Sequence, residues 1–157
     1  MHKYYIPLLI ALTLLIAACE RPVKREESSA LNQEINSYMV QILSEAEELK
    51  MDALQDVLDD SPSNRFYENG KAYRRNLYLQ TLTARYQDLE SQKIEVFEPR
   101  SIVMGRKSVV WTAQISTRST DKEGNTHAVS SSETWVWQKI DNYWRVLHFN
   151  SAWAISK

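Results

Sequence analysis

Glu133 is the residue in this sequence best placed for proton chemistry. It stands in SSETWVWQKI, two positions before Trp135 and four before Trp137. Side chains alternate between faces along a strand, so these three share one face. A carboxylate on an apolar face is costly to bury unless it is paired, and its pKa rises. Such a group can serve as a general acid or base. A second reading puts Glu133 near the open end of its strand, solvated or bonded to an arginine such as Arg118. His148 has no carboxylate at catalytic spacing and reads as a structural or interface residue. His127 falls in a turn. His127, His148 and the one cysteine are scattered and make no metal constellation, so neither a metal nor another cofactor is expected. Gly70, Gly105 and Gly124 lie too far apart for a phosphate loop.

Cys19 suggests a different chemistry. The chain opens MHKYYIPLLIALTLLIAAC, with basic Lys3, an apolar run, and small residues before the cysteine. That is the pattern of a secretory signal, and the run is short for a membrane span, which needs about 20 apolar residues. The small-small-Cys ending resembles a bacterial lipobox. Cys19 is the only cysteine, so it has no disulfide partner within the chain. Lipid attachment at Cys19 follows, with residues 1–18 a signal peptide, 19–29 a lipidated tether and 30–157 one domain. Glu20 stands where an aspartate would favour inner-membrane retention, so the expected location is the outer membrane, facing the periplasm. Nineteen basic residues against twenty acidic ones give a net charge of −1. Such a balance offers no footprint for nucleic acid, and membrane attachment would come from the lipid alone.

The elements that must hold these residues follow from periodicity. Leu31, Ile35, Tyr38, Ile42, Ala46, Leu49, Ala53 and Val57 recur every three or four positions, which predicts helix. Ser28 or Ser29 would cap its start, a break is expected near Lys50-Met51-Asp52, and Asp60-Ser61-Pro62 stops it. Asn69-Gly70 is a turn signal. A second helix is expected over about 72–90, with Leu79, Leu82, Tyr86 and Leu89 on one face. Alternating Val, Ile, Thr and Trp then predict four hairpin-linked strands at about 93–104, 107–119, 126–138 and 143–155. Pro99 marks an edge or a bulge. Helices followed by a meander mean an α+β fold, with N-terminal helices packed on an antiparallel sheet.

Alternation also assigns faces. Val109, Trp111, Ala113 and Ile115 point toward the helices, as do Trp135 and Trp137. In the last strand Leu147, Phe149, Ser151 and Trp153 alternate with Trp144, Val146, His148 and Asn150. Both sets carry apolar weight. With the Phe149 set inward, Trp144 joins His148 on the outer face.

The C-terminal residues Glu133, Thr134, Val136 and Trp137, then Trp144, His148 and Phe149, resemble the nuclear transport factor 2-like (NTF2-like) superfamily. The likeness is to its SnoaL-like group and to the association domain of calcium/calmodulin-dependent kinase II. Phe66-Tyr67-Glu68-Asn69-Gly70-Lys71 fits a family turn loosely. The resemblance implies a cone: a curved sheet around helices, with a pocket at the open end and an outer face that often forms homodimers. The implied pocket is aromatic, walled by Trp111, Trp135, Trp137 and Phe149, with Glu133, Ser151 and Tyr67 or Tyr86 beside it. Arginines usual in the kinase association domain at the place of Trp135 and near Ser151 are absent, so carboxylate binding does not carry over. Acid–base sets of steroid isomerases and epoxide hydrolases find no matching residues.

Three functional expectations stay open. The domain binds a small apolar or aromatic ligand, or a protein partner, without catalysis. Alternatively it is an isomerase or dehydratase with Glu133 as general base. Or the tryptophans fill the cone, and the protein is a structural dimerisation module.

Overall fold

The computed structural model describes residues 22–155. The expected signal peptide and Cys19 lie outside the described residues. Helix α1 spans Arg25–Glu47 and buries Leu31, Ile35, Met39 and Ile42. It starts before the expected Ser28 or Ser29 cap, at extended Lys24, with no side-chain cap bond. Glu26 and Glu27 in its first turn complement the helix dipole instead. The helix therefore reaches back into residues expected to be tether.

The expected break is present, and Leu49 makes it. Its φ of 57° is left-handed. The Leu49 amide donates to the Ala46 carbonyl at 2.9 Å and the Lys50 amide to the Glu45 carbonyl at 2.8 Å. That is a Schellman closure with leucine in the place glycine usually takes. Helix α2, Asp52–Val57, then continues the apolar stripe with Ala53, Leu54 and Val57. Helix α3 spans Arg75–Asp88 and buries Tyr78, Leu79 and Leu82.

The six strands are β1 Arg65–Glu68, β2 Lys71–Tyr73, β3 Leu89–Gly105, β4 Ser108–Asp121, β5 Thr126–Ile140 and β6 Tyr143–Ile155. The sheet is open, in the order β2-β1-β6-β5-β4-β3. The long strands form the expected antiparallel meander. The expected all-antiparallel sheet needs one correction: β1 runs parallel to β6. The residues read as a turn around Asn69-Gly70 form a complete hairpin, with both turn residues at positive φ. Asp141-Asn142 closes β5 to β6 in the same way.

Of the four register irregularities in the sheet, two bear on the expected strands. One lies between Phe97 and Arg100, where Pro99 stands, as expected. The other lies on β6: Val136 pairs with His148, but Trp137 pairs with Val146, so Leu147 is extra. An extra residue reverses parity beyond it. Trp144 and Val146 therefore sit on the inner face with Phe149 and Ser151, and all four are buried. The outer-face assignment of Trp144 is corrected by this bulge, as is the inward assignment of Leu147.

Candidate functional site

Strand register sorts the inner face of the sheet into rows. The first is Val109, Trp137 and Val146, and the second Trp111, Trp135, Phe149 and Phe66. The third is Ala113, Glu133, Ser151 and Glu68, and the fourth Ile115, Ser131 and Trp153. The first two rows are bulky and close against the helices. Every one of their members is at most 4 % exposed. The next two rows carry small residues at Ala113, Ser131 and Ser151, so the sheet stands away from the helices there. A cavity of about 230 Å³ opens in that space.

Glu133 lines this cavity. Its Oε2 accepts from Trp135 Nε1 at 2.9 Å, and its Oε1 accepts from Ser131 Oγ at 3.3 Å and Ser151 Oγ at 3.5 Å. Burial raises its pKa above 4.5, those three hydrogen bonds oppose the rise, and the nearby Glu68 carboxylate adds to it. Burial dominates because none of its partners carries a positive charge. Arg118, considered as a partner from sequence, is exposed on the other face.

Glu68 has a different environment. It is buried, and Arg85 of α3 grips it with both terminal nitrogens, at 2.9 and 2.8 Å. A bidentate fork of this kind is the strongest carboxylate pairing. The Arg85 guanidinium also lies 5.6 Å from the centre of the Trp153 ring. Tyr78 of α3 packs between Phe66, Tyr73 and Phe149, at ring separations of 6.0, 6.0 and 5.7 Å. Burial, then the Glu133 and Glu68 carboxylates, push its hydroxyl well above 10.0, so it stays protonated. Burial likewise raises Tyr86, against a hydrogen bond from Gln92.

The residues expected at the pocket divide. Glu133, Trp135, Phe149, Ser151 and Tyr86 line the cavity. Trp111 and Trp137 do not; they belong to the closed rows. Tyr67 is on the opposite face, where its ring meets His148 at 5.4 Å, because β1 turns Phe66 and Glu68 inward. The reading of His148 as an outer-face residue agrees with this placement. Glu68, Tyr78 and Arg85 also line the cavity and were not anticipated. A signal existed for the last two: Tyr78, Leu82 and Arg85 lie four and three residues apart on one helix face. Among the described residues no group of three His, Cys, Asp or Glu side chains could hold a metal.

The model of the calcium/calmodulin dependent protein kinase II association domain family matches residues 27–154. No curated protein matches the chain in sequence. Among solved structures, it is similar to a nuclear transport factor 2-like superfamily protein of Salmonella enterica, with a TM-score of 0.69 and 18% identity over 82% of this chain and 94% of that one. The C. elegans kinase association domain gives a TM-score of 0.65 at 17% identity, covering 82% and 99%. A hexachlorocyclohexane dehydrochlorinase of Novosphingobium barchaimii gives 0.71 at 10% identity, covering 85% and 93%. Likeness at these identities establishes the fold, which enzymes and association domains share.

Proposed function

The chain belongs to the calcium/calmodulin dependent protein kinase II association domain family, and from that premise we propose a non-catalytic domain that binds a small, largely apolar or aromatic ligand. The observation that carries this reading is the cavity beside Trp135, open where the neighbouring rows are filled. Its volume is below the range of about 300–1,000 Å³ usual for drug-sized ligands, so the ligand is a small one. The filled-core reading suits only the rows of Trp111 and Trp137. Lipidation at Cys19 would hold the domain at the periplasmic face of the outer membrane, and the outer sheet face would pair copies of it.

Isothermal titration of the purified full chain with benzyl alcohol, a small neutral aromatic probe, tests the reading. Saturable binding that Trp135→Ala weakens is the expected result. Absence of saturable binding to benzyl alcohol, benzylamine and benzoate alike overturns it. Native mass spectrometry of the same sample reads the number of copies, and a strictly monomeric protein would remove the pairing.

A second reading keeps Glu133 as a general base, with the protonated Tyr78 hydroxyl near it as a donor to a developing oxyanion. It predicts that Glu133→Gln abolishes turnover while the protein stays folded.

A further inference from the structure

The charges along the cavity wall do not balance. The ionisable acids and bases among its lining residues are Glu68, Arg85 and Glu133, apart from the tyrosine hydroxyls. Arg85 is the cation, and it donates to Glu68 from both of its terminal nitrogens, so its charge is matched there. Among the described residues, Glu133 therefore faces the cavity with hydrogen-bond donors but no countercharge. Its donors are one indole N–H at 2.9 Å and two serine hydroxyls at 3.3 and 3.5 Å. The remaining wall around it is aromatic, with Trp135, Phe149, Tyr78, Tyr86 and Trp153.

We propose that the cavity selects small organic amines in their cationic form, the ammonium nitrogen meeting Glu133 and the apolar body resting against the aromatic rings. This rests on the ligand-binding reading above and names the ligand class. Three physical terms favour a cation. A part-buried carboxylate lacking a positive partner is costly, and an ammonium removes that cost. Ring faces attract cations, more strongly where water is excluded. A ligand carboxylate would meet Glu133 as a like charge and find the Arg85 fork occupied. A neutral alcohol could donate to Glu133 but supplies no charge. The carboxylate raised by burial is the group that gains most from such a partner.

Three probes of nearly equal shape test the proposal: benzylamine, benzyl alcohol and benzoate, titrated calorimetrically into the full chain at pH 7. A charge-assisted bond over a neutral one predicts benzylamine at least about tenfold tighter than benzyl alcohol, with benzoate weakest. In Glu133→Gln the amine-to-alcohol ratio falls to about one. The glutamine oxygen can still accept from Trp135 Nε1, and the near-ultraviolet circular dichroism of the tryptophans checks that the variant is folded. Benzoate binding as tightly as benzylamine overturns the proposal, as does a preference for the amine that survives Glu133→Gln. Equal binding of amine and alcohol to the wild type overturns it too, and leaves the ligand-binding reading standing. If none of the three binds, both fall.

Discussion

The two ends of the inner sheet face are built on the same strands and behave differently. At the closed end Trp111, Trp137, Val109 and Val146 are each at most 2 % exposed, and Trp144 is buried with them. The indole nitrogens of Trp137 and Trp144 have no hydrogen-bond partner among the described residues. There the large side chains act as volume, and the area they remove from water outweighs an unmet donor. At the open end, two residues along β5 from Trp137, Trp135 uses its indole N–H to hold Glu133. Its ring closes the filled rows on one side, 6.4 Å from the Trp137 ring, and borders the cavity on the other. Neighbouring residues of one type thus serve packing and recognition, and the size of the side chains in the adjoining row decides which. Trp137 adjoins the row of Trp111 and Phe149, whereas the row beyond Trp135 offers Ala113 and Ser151.

The sharpest way to break the closed end is the double variant Trp144→Ala, Val146→Ala. It truncates both side chains that the bulge turns inward. Losing the burial of both predicts a stability loss of at least about 4 kcal/mol, or failure to fold, in chemical denaturation. A midpoint close to that of the wild type would mean that the bulge does not set the face.

Single truncations compare the ends more gently. Trp137→Ala should cost about 3–5 kcal/mol, the range for large buried aromatic residues. Trp135→Ala should cost less, because its ring already borders open space, yet it should weaken ligand binding more. Equal losses of stability, or stronger binding defects from Trp137→Ala, would erase the distinction.

The smallest effect is electrostatic. Burial raises the folded-state pKa of Glu133 above 4.5, so its protonated form is the one the fold favours. Its contribution to stability is fully present below about pH 4.5 and is lost as pH rises through the raised value. The groups facing it are Glu68, Tyr78, Arg85 and Tyr86. Glu133→Gln cannot titrate, so the stability difference between wild type and variant should move against the wild type from pH 4.5 to neutrality. Asp121 shows the opposite sign at an exposed turn. Hydrogen bonds from Asn125 lower its pKa below 3.8, so its contribution is lost as pH falls. A flat difference for Glu133→Gln would mean that water reaches the carboxylate freely.

Much of this architecture was readable in advance from local pattern. The helical stripe, its break, the long strands and the inward parity of β4 and β5 each depend on residues close in the chain. The candidate site was half readable. Glu133, Trp135, Phe149 and Ser151 share an inner parity, and the resemblance to the family directed attention to them. Glu68 was missed because its inward position depends on a parallel pairing of β1 with a strand about 80 residues away. Tyr67 was assigned inward for the same reason. Trp144 was misplaced because the register shift is a property of two strands together.

By itself, then, the sequence determined the element types, the inner face of the central strands, the α+β class and a family likeness that the comparisons establish. These rest on repeats of 3.6 and 2, which any short segment carries in its own side chains. Only the tertiary structure decided which tryptophans are filling and which border a cavity, that Arg85 is committed to Glu68, and that Glu133 has no countercharge among the described residues. Those facts depend on which distant residues share a row and on the volume left between sheet and helices. A one-residue bulge on β6 and a four-residue parallel strand set both.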